Sequence, residues 1–286
     1  MTRRLPRLTR RRFWGAAALT GLGLGLYTWR VEPHWLEFVR RDLPIRDLPD
    51  ALVGRTLAQV SDIHVGPRVD PDYLAASFRA LSALNPDVVT LTGDFVSATG
   101  TERVDEAAQL LENLSRPSLG TFAVLGNHDY GAGWNNPRVA DQLTKRLADV
   151  GVRVLRNQSA DVSGLRLTGL EDVWGPNFDL RTVQAALAAE PPGLVLCHNP
   201  DAADVNVWGR YRGWILSGHT HGGQCKPPFL PPPLLPVANK RYTAGEFDLG
   251  DGRRLYINRG LGHLTRVRFN VRPEITLFRL VREEPT

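Results

Sequence analysis

The chain has 286 residues, 42% of them hydrophobic, and only two cysteines. Beyond an N-terminal tail this is one globular domain of roughly 235–240 residues, large enough for a full core. The net charge of +5 lies wholly in residues 1–50, with 10 Lys and Arg against 5 Asp and Glu; residues 51–286 hold 25 against 25, so no nucleic-acid-binding face is expected.

The tail comes first in chain order. Residues 1–12 contain Arg3, Arg4, Arg7, Arg10, Arg11 and Arg12 and no acid, and residues 13–29 carry no charge. A basic segment followed by an apolar one is the order of a signal sequence. Thr9-Arg10-Arg11-Arg12-Phe13-Trp14 resembles a twin-arginine export signal. The uncharged run is at the short end of what spans a bilayer. No clean small-x-small cleavage site follows it, which favours a retained anchor over a cleaved signal for residues 1–30. Either way the domain is expected outside, on the outer face of the cytoplasmic membrane or exported. Residues 31–54 read as a linker or interfacial segment, with Trp35, Leu36 and Phe38 beside Trp29 as anchors. Residues 55–286 make the folded domain.

The body alternates strands and helices. Thr56–Val60 reads as a strand that ends in Asp-Ile-His, and Tyr73–Leu84 as a helix capped by Asp70 or Asp72. Asp87–Leu91 is a strand before Thr-Gly-Asp, and Arg103–Leu114 a helix. Thr121–Leu125 is a strand before Gly-Asn-His-Asp, and Pro137–Leu147 a helix. Strand-like Arg153–Arg156 and Gly164–Leu170 follow, then a helix over Asp179–Ala189. Leu194–Leu196 leads to Cys-His-Asn-Pro, and Trp214–Leu216 to Ser-Gly-His-Thr-His-Gly-Gly-Gln. Residues 240–280 hold strand-like runs (FDL, RLYIN, VRFN, ITLFRL), which predict a second sheet packed on the first. The expected fold class is α/β, two sheets with helices, its polar loops gathered at one sheet edge.

Five times an apolar strand gives way to a loop bearing Asp, Asn or His. The residues are Asp62, His64, Asp94, Asn127, His128, His198, His219 and His221, which include five of the seven histidines. Mixed carboxylate and imidazole donors suit Mn²⁺, Fe²⁺ or Zn²⁺. Asp62 and His64 flank Ile63, so an extended strand end would point both the same way. Each short motif has an ordinary reading as a loop or a strand-end histidine; the five together, each after an apolar run, do not.

This series resembles the calcineurin-like metallophosphoesterases. The GHTHGGQ form, the tail and the NRGLG segment at 258–262 are similar to the exported or membrane-attached bacterial phosphodiesterases of that family. The resemblance implies a four-layer sandwich, two mixed β-sheets flanked by helices, and a pair of divalent metal ions. It implies that Asp62, His64 and His221 hold one ion, that Asn127, His198 and His219 hold the other, and that Asp94 bridges them. His128 would assist the leaving oxygen, and Asp129 would orient His128. The implied reaction is hydrolysis of a phosphodiester or pyrophosphate bond, with a phosphomonoesterase or nucleotidase, or a catalytically silent metal-binding protein at the membrane, as alternatives.

Substrate is less marked. Pro227–Pro236 is ten residues with no polar side chain, either a rigid loop or an apolar rim that favours a lipid-like phosphoester. Trp134, Trp174 and Trp208 are candidates for the same rim. His263 departs from the family pattern and is either a substrate contact or a surface histidine. Cys197 is expected to be buried; a disulfide with Cys225 is permitted outside the cytoplasm but not favoured. A monomer is expected.

Overall fold

The structure, a computed structural model, describes residues 9–97, 100–188 and 193–284. Arg3, Arg4 and Arg7 of the basic segment, and Ala189 at the end of an expected helix, lie outside the described residues.

Helix α1 (Arg10–Leu26) opens the chain, capped by Thr9, whose hydroxyl accepts from the amide of Arg12. It buries no residue. It continues through a π-helical turn, Tyr27–Val31, and a short turn, Glu32–His34. Among the described residues, no helix is long and apolar enough to cross a membrane.

Twelve strands make two mixed sheets. The first has the order β1 (Glu37–Ile45), β12 (Glu274–Arg282), β2 (Thr56–Val60), β3 (Val88–Thr92), β4 (Thr121–Val124), β5 (Val152–Val154). The second runs β10 (Gly245–Asp248), β11 (Arg254–Ile257), β9 (Trp214–Ser217), β8 (Leu194–Leu196), β7 (Leu165–Gly169), β6 (Gln158–Val162). Helices α2 (Pro71–Ala83), α3 (Val104–Leu111) and α4 (Pro137–Asp149) cover the first sheet, and α5 (Leu180–Ala188) covers the second.

The layers follow from burial on both faces of each sheet. Leu43, Leu57, Val88, Val124, Leu167, Leu194, Leu216 and Phe278 fill the space between the sheets. Leu74, Phe78, Leu81, Leu111 and Leu143 pack the helices on the first sheet. Each such side chain contributes about 1.5–3 kcal/mol when fully buried. Among the polar ties that cross the sandwich, the Gln59 side-chain amide donates to Thr92 Oγ1 (3.1 Å) and to the Ser217 carbonyl (2.9 Å). It locks together the ends of β2, β3 and β9, the edge where the polar loops emerge. Asp70 is the cap of α2, accepting from Asp72 and Tyr73 amides.

Two expectations need correction. Residues 37–45, read as part of a linker or interfacial stretch, form β1, paired in parallel with β12 over its whole length. Its buried residues, Leu43 and Ile45, come late and behind charged ones, so the segment lacks the alternation that marks a strand. The late runs do not all join the second sheet: β12 inserts into the first, antiparallel to β2. The VRFN run makes only an isolated bridge between Phe269 and Cys225.

Candidate active site

Five parallel strands, β2, β3 and β4 of the first sheet and β8 and β9 of the second, end at the same edge. Their loops bring the expected residues together. The ligand atoms of Asp62, His64 and His221 lie within 4.8 Å of one another, as do those of Asp94, His198 and His219, and all six side chains are buried. Each group could hold one metal ion. Asp94 Oδ2 is 3.1 Å from His198 Nε2 and 3.6 Å from His64 Nε2, so one carboxylate faces both groups. Asp94 Oδ1 accepts from the His128 amide at 2.9 Å. That bond draws the turn Asn127–Tyr130 against Asp94. Asn127 is 1% exposed, and neither side-chain amide atom has a hydrogen-bond partner.

The local backbone is unusual. Asp62, His64, Asp94, His219 and His221 all have φ between 49° and 70°. Non-glycine residues enter this left-handed region at a cost of roughly 1–2 kcal/mol each, which concentrates them at functional sites. Asp62 and His64 therefore converge through two left-handed turns, not through the extended strand end expected. Close approach also needs glycine. A Cβ on Gly218 would overlap the Ser61 hydroxyl and the Asp62 carboxylate, and one on Gly93 (φ +87°) would lie 2.6 Å from His198 Nδ1.

Hydrogen bonds behind the site set which imidazole nitrogen faces it. His198 Nδ1 bonds the Thr92 carbonyl at 2.7 Å, and His219 Nε2 bonds the Pro236 carbonyl at 2.7 Å. A carbonyl only accepts, so those nitrogens carry hydrogen. The inward nitrogens, His198 Nε2 and His219 Nδ1, face each other at 3.2 Å. His64 Nε2 and His221 Nε2 face each other at 3.0 Å. Burial pushes His64 and His219 down to about 3, so both are neutral with a free lone pair. Burial also opposes charge on His198, yet Asp94, Asp62 and Asp172 outweigh it and hold His198 well above its ordinary value. Burial disfavours the Asp94 anion, but His198 and His128 pull its pKa well below the usual range. Facing ring nitrogens, a carboxylate that faces both groups and the unpartnered Asn127 amide oxygen make a donor set that a pair of divalent cations fits.

His128 is half-buried at the rim, its ring 5.2 Å from that of His64 and 5.9 Å from that of Trp134. Asp129 does not reach it. The buried Asp129 carboxylate accepts from four backbone amides: Asp94 (2.9 Å) and Gly126 (2.9 Å) at Oδ2, Phe95 (2.8 Å) and Val96 (3.2 Å) at Oδ1. Burial, with the Asp94 charge adding, raises its pKa to about 8, opposed by the Gly126 and Val96 amides. Asp129 thus positions the Asp94 loop, not the His128 ring.

Several contributors escaped sequence reasoning. Ser97 Oγ lies 2.8 Å from His64 Nδ1, and Asp172 is buried near His198, its carboxyl raised to about 6 by burial. Trp134 and Trp174 stack at 5.4 Å with planes 15° apart, and Trp174 meets the His219 ring edge-on at 4.6 Å. Both tryptophans are rim candidates from sequence; nothing in one dimension shows that they stack. Trp208 is instead buried in the second sheet's core. His263 is buried and bonded to the Arg68 carbonyl at 2.9 Å, so it is no surface histidine. Cys197 and Cys225 are both free. A cavity of about 550 Å³, lined by arginines including Arg46, Arg166 and Arg254, opens at the opposite edge and contains none of the site residues.

Comparison with known proteins agrees with this geometry. The family model for calcineurin-like phosphoesterases matches residues 55–223. Phosphodiesterase YaeI of Escherichia coli is 32% identical over 283 residues, which cover 96% of this chain and 100% of that protein. The metallophosphoesterase YkuE of Bacillus subtilis is 32% identical, with 93% of this chain and 92% of that one covered. UDP-2,3-diacylglucosamine pyrophosphatase LpxG of Chlamydia trachomatis is 29% identical, covering 94% and 97%. With its two-sheet sandwich and its paired donor groups at one edge, the chain belongs to the calcineurin-like metallophosphoesterase family.

Proposed function

We propose that this protein hydrolyses a phosphodiester or pyrophosphate bond in an amphipathic, lipid-linked substrate, using two divalent ions, and that it works at the outer face of the cytoplasmic membrane. The observation that carries the reaction class is Asp94, whose one oxygen faces a nitrogen of each donor group. Asp62, His64 and His221 would hold one ion, and Asn127, His198 and His219 the other. When bound, such a pair neutralises phosphoryl charge and activates water. Mn²⁺, Fe²⁺ and Zn²⁺ all suit this donor set.

The remaining chemistry belongs to the chain itself. The half-buried His128 ring lies beside His64 at the rim, where it would give a proton to the departing oxygen. The Asp129 clamp on the amides of Asp94, Phe95 and Val96 fixes the bridging carboxylate before substrate arrives. The stacked Trp134 and Trp174 form an apolar wall spanning His128 and His219, which would shield the phosphate from bulk water and accept an apolar portion of substrate. The names of YaeI and LpxG, a phosphodiesterase and a pyrophosphatase acting on a diacylated sugar nucleotide, support the same substrate class.

The membrane reading is supported by the composition of the tail and by the exposure of Phe13, Trp14, Leu19, Leu22 and Trp29 on helix α1 and its extension. The test of the reaction is turnover of bis-p-nitrophenyl phosphate against p-nitrophenyl phosphate by metal-loaded protein. Preference for the diester is expected. Preference for the monoester would favour a phosphomonoesterase, and no turnover of either would favour a silent metal-binding protein.

A further inference from the structure

Two exposed apolar elements, far apart in sequence, are rooted on one short segment. The Arg268 amide donates to the Thr28 carbonyl at 3.0 Å, at the base of the N-terminal helix. One residue on, the Phe269 carbonyl accepts from the Lys226 amide at 2.8 Å, and Asn270 Nδ2 donates to the Lys226 carbonyl at 3.2 Å. Lys226 begins the proline-rich loop. The loop's other end is the Pro236 carbonyl, bonded to His219 of the candidate metal site. The loop therefore runs from the root of the tail to the catalytic edge.

Topology puts the tail at the same edge. Strand β12 is antiparallel to β2 and β1 is parallel to β12, so β1 starts where β2 ends. The tail, the loop and the site mouth share one end of the sandwich.

The loop tip is bare. Phe229 is fully exposed, and Leu230 and Leu234 are 60% and 79% exposed. Six prolines among residues 227–236 stiffen the backbone, so holding the tip out costs little ordering on docking. Three large apolar tips on one short loop, beside a helix whose Trp14, Leu19 and Leu22 are more than 60% exposed, exceed the scattered apolar residues of an ordinary surface. Charge identifies the occupant. Residues 1–31 hold seven arginines and no acid, and the exposed Lys226 stands at the loop root, a pattern that suits an anionic lipid surface.

We infer that the Phe229–Leu234 tip enters a lipid bilayer and, with the N-terminal helix, holds the catalytic edge against the membrane. This deepens the reading above, on which it rests for the amphipathic substrate, and it assigns the loop to the lipid surface instead of to the substrate pocket.

The experiment is a spin label at position 229 in the full chain (Phe229→Cys in a Cys225→Ser background), with vesicles of phosphatidylethanolamine and phosphatidylglycerol. A second label site, Leu234→Cys, covers a variant that fails to fold. On vesicles, the label should become more accessible to oxygen and less accessible to a water-soluble nickel complex; a label at Glu112→Cys, at the C-terminal cap of α3, should not change. Replacing Phe229, Leu230 and Leu234 together by serine should lower vesicle affinity by about tenfold or more. A label that stays aqueous on vesicles, or a chain that does not co-sediment with them, overturns the inference. So does the same change on adding a monomeric short-chain phosphodiester without vesicles, which would make the loop a substrate lid. Turnover of bis-p-nitrophenyl phosphate by the unaltered chain is read separately: its loss would sink the phosphoesterase reading and leave the insertion result standing.

Discussion

At the scale of single residues, the proposed reading separates groups that would hold charge from groups that would move it. His128 is expected to do the second. His128→Ala should keep its metals, checked by elemental analysis, and lose roughly 10²–10⁴ in rate on a diester; loss of metal would make it a ligand instead. Asp129 is a clamp. Asp129→Asn keeps the shape but turns an amide donor toward backbone donors, leaving two buried N–H groups unmatched at roughly 2–6 kcal/mol. Denaturant melts should show that loss, and a change below about 1 kcal/mol would mean the amides find other partners. The gathering of the donor residues at one edge was legible because five motifs each follow a strand. The left-handed backbone at Asp62, His64 and Asp94 was not, since positive φ in non-glycine residues depends on neighbours such as the Gly218 approach that exist only once the sheets stack. The partners of Asp129 were hidden for the same reason: three of its four amides lie more than thirty positions away.

Among the elements, β1 changes what the tail is. Arg259, which precedes Gly260 beside Asp62, pairs with Glu37 at 2.8 Å, and Arg272 donates to the Trp35 and Leu36 carbonyls at 3.0 Å. Residues 35–45 therefore brace the loop behind the site. Removal of residues 1–26 should leave folding and turnover of a soluble diester near those of the full chain. Removal of residues 1–45 exposes the β12 edge and deletes Leu43 and Ile45, each worth about 1.5–3 kcal/mol as a buried side chain. Thermal melts of the two truncations should differ sharply; equal melting would show that β1 is dispensable. The helices and the parallel strands were readable from periodicity. The destination of β12 was not, because the ITLFRL run fits either sheet by pattern, and only its pairing with Thr56–Gln59 and β1 decides.

For the whole molecule, the neutral body and basic tail match the proposed division of labour, in which one end of the sandwich would meet the membrane and carry the chemistry. The central claim is that seven side chains from five strand ends enclose two cations. The most direct measurement is the metal content of purified full-length protein beside Asp94→Asn, by elemental analysis after removal of loosely bound ions. The account predicts two divalent ions per chain in the native protein and weakened retention of both in the variant, with diester turnover lost in parallel. A native chain that holds no metal, or a variant that keeps both ions as tightly as before, would contradict it.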